Sequence, residues 1–233
     1  MVRTALVTGS AQGIGRAAAE ALAAAGHRVH GLDVQPQPDA SFEAIQADLA
    51  DTDTCRRVVA GIGAVDILVN NAAILVEKPV DEISDDEFDR TMAVNLRAPF
   101  VLSVAAVAGM AERGWGRIIN VSSVGARTGG ISQSCVYSAS KAGMVSITKN
   151  FARNYGRSGV TVNAVLPGAI NTPMARGQFV KDPDLESSVL AASPLCRLGE
   201  GSEVAAVIAF LASDDASYIN GASLDVTGGW VMT

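Results

Sequence analysis

Short apolar runs rich in valine, isoleucine and leucine recur along this chain, and longer stretches with helical patterns separate them. The seven runs cover residues 4–9, 27–33, 42–48, 66–72, 117–123, 160–168 and 223–229. Strands of a parallel sheet that is covered on both faces read as continuous apolar runs rather than alternating ones. The pattern therefore predicts an α/β fold, a doubly wound parallel sheet with helices on both faces.

The helices between these runs have recognisable ends. The sequence GIGRAAAEALAAAG predicts a helix that stops at Gly26. Further along, Ser84 and Glu87 have the spacing of a capping box, in which each residue satisfies a free backbone amide of the other. We expect a long helix to begin after Ser84 and to continue to about Gly114.

The domain organisation is simple, because no internal repeat, low-complexity tract or linker interrupts the pattern. Residues 1–233 are predicted to form a single Rossmann-type domain. The least regular segment is 172–199, which contains Pro173, Pro183 and Pro194. Since proline and glycine interrupt regular structure, we interpret this segment as a mobile flap that covers the substrate.

Composition and charge narrow the functional class. With 18 basic and 24 acidic residues the net charge is −6, and no lysine or arginine cluster is present to bind a nucleic-acid backbone. No run reaches the roughly 18 continuous apolar residues of a membrane span, and the N-terminus leads directly into a strand. The three cysteines, Cys55, Cys135 and Cys196, form neither a metal-site nor a disulfide pattern. We expect a soluble cytoplasmic protein without metal.

A glycine-rich turn, TGSAQGIG, follows the first predicted strand and opens a helix. Glycine permits a tight turn and a close approach of the backbone to a ligand, and the amides of a helix N-terminus attract a diphosphate. The residues predicted to hold it are Gly9, Gln12, Gly13, Ile14 and Gly15. Taken alone, the turn is equally typical of a tight strand-to-helix connection without ligand.

Asp33 ends the second predicted strand, 18 residues after Gly15. A carboxylate there can accept hydrogen bonds from both adenosine ribose hydroxyls, and it repels a 2′-phosphate. Gln12 stands in the turn where a cation would otherwise meet that phosphate. Both features favour NAD over NADP.

Six motifs occur in the order typical of one family. They are TGSAQGIG at 8–15, NNAA at 70–73, Asn95, NVSSVG at 120–125, YSASK at 137–141 and PGAINTPM at 167–174. With this set the chain resembles the short-chain dehydrogenase/reductase family over essentially its whole length. The resemblance implies a Rossmann-type fold of seven parallel strands, a nicotinamide cofactor and oxidoreduction at an alcohol or ketone carbon.

The resemblance also assigns catalytic roles. Tyr137 would be the base for the hydroxyl proton, and Lys141, four residues later on the same helical face, would favour its phenolate and grip the nicotinamide ribose. We expect Tyr137 to titrate well below 10 when NAD+ is bound. Ser123, rather than Ser122, would bind the substrate oxygen, and Asn95 would hold a water that passes the proton to solvent. The alternative for Asn95 is a helix-interior amide that bonds locally.

The same resemblance implies further nucleotide contacts. Asp48 and Leu49 would meet the adenine edge, although Asp48 could equally be a turn former at a strand end. Asn70 and Ala72 would line the ribose path. The nicotinamide carboxamide would be held by Pro167, Gly168, Ile170 and Thr172.

The chain departs from the family pattern at two places. Ala73 stands where many members have glycine, and its methyl group narrows the space beside the cofactor. Ser123 and Tyr137 are 14 positions apart where many members have 13. We place the extra residue within 125–133, where Gly129 and Gly130 can absorb it.

Substrate and assembly are less determined. The flap offers apolar and charged side chains, and Arg176 could clamp a carboxylate or phosphate or simply be solvated. Trp230 is interpreted as a packing or subunit-contact residue. The family is commonly dimeric or tetrameric through its two long middle helices and its C-terminal strand, so we expect a homotetramer or homodimer.

Three functions are consistent with these observations. The first is an NAD-dependent dehydrogenase that acts on a secondary alcohol or its ketone, a small molecule. The second is an NADPH-dependent 3-oxoacyl-thioester reductase, against which Asp33 and Gln12 count. The third is a nucleotide-binding sensor that has lost turnover.

Overall fold

The computed structural model describes residues 1–130 and 134–232. A seven-stranded parallel sheet forms its centre, with strand order β3-β2-β1-β4-β5-β6-β9. The strands are β1 (Thr4–Thr8), β2 (Arg28–Asp33), β3 (Glu43–Gln46), β4 (Ile67–Asn70), β5 (Gly116–Val121), β6 (Val160–Pro167), β7 (Ile170–Asn171), β8 (Gly199–Glu200) and β9 (Ser223–Val226). All seven strands predicted from the apolar runs are confirmed, and β7 and β8 form a small separate ladder.

The helices alternate with the strands. They are α1 (Gly13–Ala24), α2 (Thr52–Ile62), α3 (Asp85–Met92), α4 (Ala98–Glu112), α5 (Gly125–Thr128), α6 (Cys135–Tyr155), α7 (Pro173–Lys181), α8 (Pro183–Ala192) and α9 (Gly201–Ala212). Single 3-10 turns occupy Val80–Glu82 and Gly156–Ser158. This is the doubly wound Rossmann-type arrangement that the sequence predicts.

Both faces of the sheet are buried, which explains why its strands read as unbroken apolar runs. In β1, Ala5 and Val7 point into one core with α1 and α9, whereas Leu6 points into the other with α2, α4 and α6. The strand order reverses between β1 and β4. Ligands of such sheets bind at the carboxyl ends of the strands beside this reversal.

The helix predicted to follow Ser84 is confirmed, including its capping box with Glu87. It runs from Asp85 to Glu112 with one wide π-helical turn, Ala93–Arg97, in its middle. Pro99 accounts for the irregularity, because it has no amide hydrogen to give to the carbonyl four residues earlier. By length and composition alone this helix could cross a membrane, but 56% of its most apolar window is buried inside the fold.

The segment expected to be irregular is regular instead. Most of residues 172–199 form α7 and α8, which begin after the side-chain caps Thr172 and Asp182. Proline is tolerated in the first turn of a helix, where its missing N–H has no intrahelical partner to lose. Pro173 therefore starts a helix here, whereas the sequence analysis took it as a break.

Substitution of two exposed glycines tests how much the backbone conformation at the end of α2 contributes to the stability of the protein. Gly61 lies inside the helix and Gly63 follows it with φ of +82°, and an added Cβ would meet nothing within 4 Å at either position. Gly61→Ala should raise the free energy of unfolding by about 0.5–1 kcal/mol, since alanine favours helices. Gly63→Ala should lower it by about 1 kcal/mol, since a side chain is strained at positive φ. Urea denaturation measures both, and equal signs for the two variants would contradict this account.

Candidate active site

The glycine turn brings three backbone segments into direct contact at the carboxyl end of β1. A Cβ on Gly15 would lie 2.0 Å from the carbonyl oxygen of Gly9, and one on Gly9 would lie 2.7 Å from Nδ2 of Asn71. Gly9 and Gly13 also adopt positive φ, +69° and +57°. A side chain at Gly9 is therefore excluded by space and by conformation, and a side chain at Gly15 is excluded by space alone.

The N-terminus of α1 is open toward a ligand. Gln12 caps the helix without a side-chain hydrogen bond, and the first turn contains no acidic residue. Gly9, Gln12, Gly13 and Ile14 line a cavity of about 360 Å³. Free amides at a helix N-terminus beside a glycine cradle are suited to a nucleotide diphosphate, so the residues present fit such a group.

Asn71 secures this turn, and the sequence analysis did not single it out. Its Nδ2 donates to the carbonyl oxygens of Thr8 and Gly9 at 2.9 and 3.2 Å. The hydroxyl of Thr8 accepts from the amides of Asn71 and Ala72 at 3.0 and 3.1 Å. Asn71, Ala72 and Ala73 all line the cavity, and the narrowing of the cofactor space by the methyl group of Ala73 stays a prediction.

Asp33 lies at the end of β2 and also lines the cavity. Its carboxylate accepts from the backbone amides of Ala11 and Gln35, each at 2.9 Å. Arg16 is directed elsewhere, toward Glu20 and the carbonyl oxygen of Asp39. Of the described residues that line the cavity, only Arg90 and Lys141 are cationic, and their hydrogen bonds go to Asp48 and to the carbonyl oxygen of Val121 rather than to Asp33.

Asp48 and Leu49 lie further along the same wall. The Asp48 carboxylate accepts from the amide of Ala50 at 2.9 Å and from Arg90 at 2.8 Å. These hydrogen bonds, the one from Ala50 foremost, hold the pKa of Asp48 below its usual value. Asp48 is thus a turn former and a cavity residue at once, and Arg90, which the sequence analysis did not identify, lines the cavity beside it.

Tyr137, Lys141 and Ser123 meet at the centre of the cavity. The ammonium of Lys141 lies 5.6 Å from the centroid of the Tyr137 ring and donates to the carbonyl oxygen of Val121 at 2.7 Å. Ser123 hydrogen-bonds Tyr137 and accepts from the amide of Gly125 at 3.0 Å. Ser122 instead donates to the backbone carbonyl of Lys141 at 2.8 Å, and this geometry favours Ser123 over Ser122 as the serine that acts with Tyr137.

Burial controls the ionisation of this pair. Desolvation raises the pKa of Tyr137 to about 12, and the hydrogen bond from Ser123 opposes it only in part. Desolvation also lowers the pKa of Lys141 to about 8, since the side chain is only 1% exposed. In this structure the pKa of Tyr137 lies above 10, the opposite direction to that expected for the NAD+ complex, because the cost of burying the phenolate exceeds what the hydrogen bond from Ser123 offsets.

Asn95 lies in the wide turn of the long helix and is fully buried. Its amide accepts from the backbone N–H of Ile74 and donates to the carbonyl oxygen of the same residue, both at 2.9 Å. It also donates to Ser140 at 3.2 Å. These bonds are not local, so the side chain joins the loop after β4 to α6, and its role in holding a water stays a prediction.

Two other predicted nucleotide residues do not line the cavity. Asn70 is 1% exposed and donates to Asn120 at 2.8 Å and to Ser103 at 3.2 Å, so its side chain belongs to a polar cluster in the core. Successive residues along an extended chain point to opposite sides. Asn70 therefore points into the core, whereas its neighbour Asn71 lines the cavity. Gly15 acts through its close contact with Gly9 instead of lining the wall.

The carboxyl end of β6 completes the cavity. Pro167, Gly168, Ile170 and Thr172 line it, as the resemblance implies. The insertion predicted within 125–133 falls partly on residues 131–133, which lie outside the described residues. Gly129 and Gly130 do adopt positive φ, +80° and +102°. Trp230 lines the cavity as well, so it is placed where it could contact a substrate, and its assignment as a packing or subunit-contact residue stays a prediction.

Arg176 does not line the cavity. It donates to Asn171 at 2.9 Å and to Glu186 at 3.1 Å on the outer side of α7 and α8. Of the two roles left open for Arg176, the structure favours the solvated one. Within residues 1–130 and 134–232 no group of histidine, cysteine, aspartate or glutamate side chains is arranged to hold a metal ion.

Comparisons with known proteins agree with this geometry. The family model described as enoyl-(acyl carrier protein) reductase matches residues 9–231. The chain is 38% identical to the 3-oxoacyl-(acyl-carrier-protein) reductase of Salmonella typhimurium, covering 99% of this chain and 98% of that protein. It is also 38% identical to the acetoacetyl-CoA reductase of Rhizobium meliloti, covering 98% of each.

A solved structure is equally similar. The fold superposes with a TM-score of 0.92 on a putative NAD(P) dependent gluconate 5-dehydrogenase from Beutenbergia cavernae with bound NADP. The two chains are 36% identical, and the match covers 98% of this chain and 96% of that one. A nicotinamide nucleotide cofactor is therefore supported by both sequence and fold.

The buried ammonium of Lys141 makes stability depend on pH. The pKa of Lys141 is about 8 in the folded protein and 10.5 in the unfolded chain, so between these pH values the unfolded chain holds a proton that the folded protein has released. The contribution of Lys141 to the free energy of unfolding therefore becomes more favourable as pH rises. The free energy of unfolding of the wild type relative to Lys141→Met should rise by about 2 kcal/mol between pH 7 and 9.5. Lys149→Met, which removes an exposed lysine of the same helix, is the matched control. A constant or falling difference for Lys141→Met in urea titrations would refute the shift.

Proposed function

The chain belongs to the short-chain dehydrogenase/reductase family, and from this premise we propose that it transfers hydride reversibly between NAD(H) and a secondary alcohol or its ketone. The observation that carries the proposal is the single cavity that joins the glycine turn to Ser123, Tyr137 and Lys141. Oxidoreduction at a CH–OH or keto group follows from the family. The preference for NAD and the roles of individual residues are the parts proposed here.

The nucleotide, when bound, supplies or accepts the hydride. The glycine turn and the N-terminus of α1 would hold its diphosphate, and Asp33 would accept hydrogen bonds from its adenosine ribose. Asp48 and Leu49 would contact the adenine, and the segment from Pro167 to Thr172 would hold the nicotinamide carboxamide.

The chain's own groups handle the proton. In reduction the Tyr137 hydroxyl gives its proton to the carbonyl oxygen, and in oxidation the phenolate takes it from the alcohol. Ser123, positioned by the amide of Gly125, donates a hydrogen bond to the same substrate oxygen and stabilises its developing charge. Lys141 is held by the carbonyl of Val121, and its ammonium supplies positive charge that favours the phenolate.

The preference for NAD rests on the wall beside Asp33. A 2′-phosphate would approach the Asp33 carboxylate. Arg16, the basic residue nearest to the glycine turn in the sequence, bonds Glu20 and the Asp39 carbonyl instead. A phosphate placed there would be repelled by Asp33, whose hydrogen-bond donors among the described residues are the backbone amides of Ala11 and Gln35.

A second candidate is an NADPH-dependent 3-oxoacyl-thioester reductase. The relatives from Salmonella typhimurium and Rhizobium meliloti favour it, since their names specify acyl-carrier-protein and CoA substrates. At 38% identity this support is modest. The third candidate, a nucleotide-binding sensor, requires that the Tyr137 site perform no turnover.

We further propose a soluble, cytoplasmic homotetramer or homodimer. The three cysteines are free, which suits a reducing compartment. Phe100 and Val104, one turn apart on α4, are about half exposed, as is Phe210 on α9. Burial of these apolar side chains between subunits would stabilise such an assembly.

Turnover with a panel of secondary alcohols and NAD+, followed by NADH absorbance, tests the activity. We expect at least one substrate to be oxidised. Tyr137→Phe should lower kcat by at least about 100-fold, since it removes the group that moves the proton. NADH binding without turnover of any alcohol or ketone would instead identify the sensor.

The choice of nucleotide is tested separately. The wild type should have a higher kcat/KM with NAD+ than with NADP+. Asp33→Asn should shift that ratio toward NADP+ by about tenfold, because it removes the repulsive charge and keeps a hydrogen-bond acceptor. Asp39→Asn, an exposed carboxylate of the same connection that does not line the cavity, should change the ratio by less than about threefold. A wild-type preference for NADP+ would overturn the interpretation of Asp33 and favour the thioester reductase.

A further inference from the structure

The part of the cavity beyond Tyr137 is lined mainly by hydrocarbon. The nucleotide residues occupy the end near β1 and β2, so the remaining wall faces the substrate. It is formed by the loop after β5, by α7 and α8, and by the C-terminal tail. Its apolar members are Val124, Met174, Phe179, Leu185, Val189 and Trp230.

Half of these apolar residues are buried. Val124, Phe179 and Val189 are 5%, 9% and 4% exposed, whereas Met174 is 39% exposed. The polar side chains that share it are few, and Gln178 is already hydrogen-bonded to Glu77 on the loop after β4. Besides Ser123, Tyr137, Ser134 and Gln178, the described part of this wall thus offers few polar side chains to a substrate that carries many polar groups.

Cationic side chains are absent from this part of the wall as far as the structure describes it. Across the whole described cavity lining, only Arg90 and Lys141 are cationic. Arg90 pairs with Asp48 at 2.8 Å at the adenine end. Lys141 donates to the carbonyl of Val121 at 2.7 Å, behind Tyr137.

The cations on the segments around the substrate end are all paired with carboxylates, and none lines this cavity. The pairs are Arg127 with Asp225 at 3.2 Å, Arg176 with Glu186 at 3.1 Å, Lys181 with Glu77 at 4.0 Å and Arg197 with Glu203 at 2.7 Å. A carboxylate or phosphate is usually recognised by an arginine or lysine that is free to bind it. An anionic substrate would have to break one of these pairs or remain unpaired.

We infer that the substrate is an uncharged ketone, or the matching secondary alcohol, with a hydrocarbon body, and that the site rejects substrates carrying a carboxylate or phosphate. This inference rests on the proposed function and specifies its substrate class. An unpaired charge in an apolar site is strongly unfavourable, whereas alkyl groups gain from contact with the wall. Such a substrate would differ from the acyl-carrier-protein, CoA and gluconate substrates that the relatives are named for.

Three probes that share one ketone isolate the effect of charge. Ethyl acetoacetate is neutral, acetoacetate carries a carboxylate on the same carbon skeleton, and acetoacetyl-CoA adds phosphates. In each case hydride from the reduced nucleotide goes to the keto carbon and the Tyr137 proton goes to its oxygen. We expect kcat/KM for ethyl acetoacetate to exceed that for acetoacetate by about 100-fold and to be no lower than that for acetoacetyl-CoA.

A matched pair of variants tests the location of this selectivity. Leu185→Lys places a cation at the half-buried edge of the substrate wall. It should raise the ratio of kcat/KM for acetoacetate to that for ethyl acetoacetate by about tenfold. Val180→Lys makes the same kind of change on the same flap, but Val180 is 82% exposed and does not line the cavity, so that ratio should change by less than about threefold.

The outcomes distinguish failure of the proposed oxidoreductase function from failure of the inference about substrate charge. Reduction of none of the probes, nor of any other ketone, with either nucleotide would refute the proposed function itself. A kcat/KM for acetoacetate equal to or above that for the ester, or a kcat/KM for acetoacetyl-CoA above that for the ester, would leave an active reductase and overturn the inference about charge. The inference about charge would also be contradicted if the ratio of kcat/KM for acetoacetate to that for ethyl acetoacetate were no higher in Leu185→Lys than in Val180→Lys. Circular dichroism confirms that both variants fold.

Discussion

The close approach of backbone to backbone at the carboxyl end of β1 is the constraint on which the rest of the site depends. Gly15 packs against the carbonyl of Gly9 with no room for a Cβ, and Asn71 ties the same carbonyl to the end of β4. This contact fixes where α1 begins and where the neighbouring strand ends. Because β1 and β4 flank the reversal of strand order, it also fixes the crevice into which the catalytic residues open.

At the catalytic centre, burial and charge act against each other. Burial makes the Tyr137 phenol a weaker acid and the Lys141 ammonium a stronger one, so each favours its neutral form. The phenol therefore keeps its proton at neutral pH, which is the form that reduction of a carbonyl requires, but as a weaker acid it donates that proton less readily. Oxidation needs additional positive charge near the ring. The same desolvation that disfavours the Tyr137 phenolate strengthens every hydrogen bond made at the site, including that between Ser123 and Tyr137.

Charge pairing around the substrate end connects the stability of the flap with its selectivity. Arg176 and Glu186 join α7 to α8, and Gln178 joins α7 to Glu77 on the loop after β4. Exposed ion pairs contribute little to stability, yet they occupy the groups that an anionic substrate would need. The flap thus presents hydrocarbon to the cavity and paired charges to solvent, which is the basis for the proposed neutral substrate.

The sequence by itself determined the features that depend on local spacing. Unbroken apolar runs identified the seven sheet strands, and the glycine turn identified the start of α1. Tyr137 and Lys141 share a face because they are four residues apart on a helix.

Only the tertiary structure decided which of two neighbouring residues of the same type belongs to the site. Asn70 enters the core while Asn71 reaches the cavity, because adjacent strand residues point to opposite sides. Asn95 bonds Ile74 and Trp230 turns toward the cavity, since both positions depend on packing between segments far apart in the chain. The pKa direction of Tyr137 likewise followed from its burial, a property that spacing along the chain does not specify.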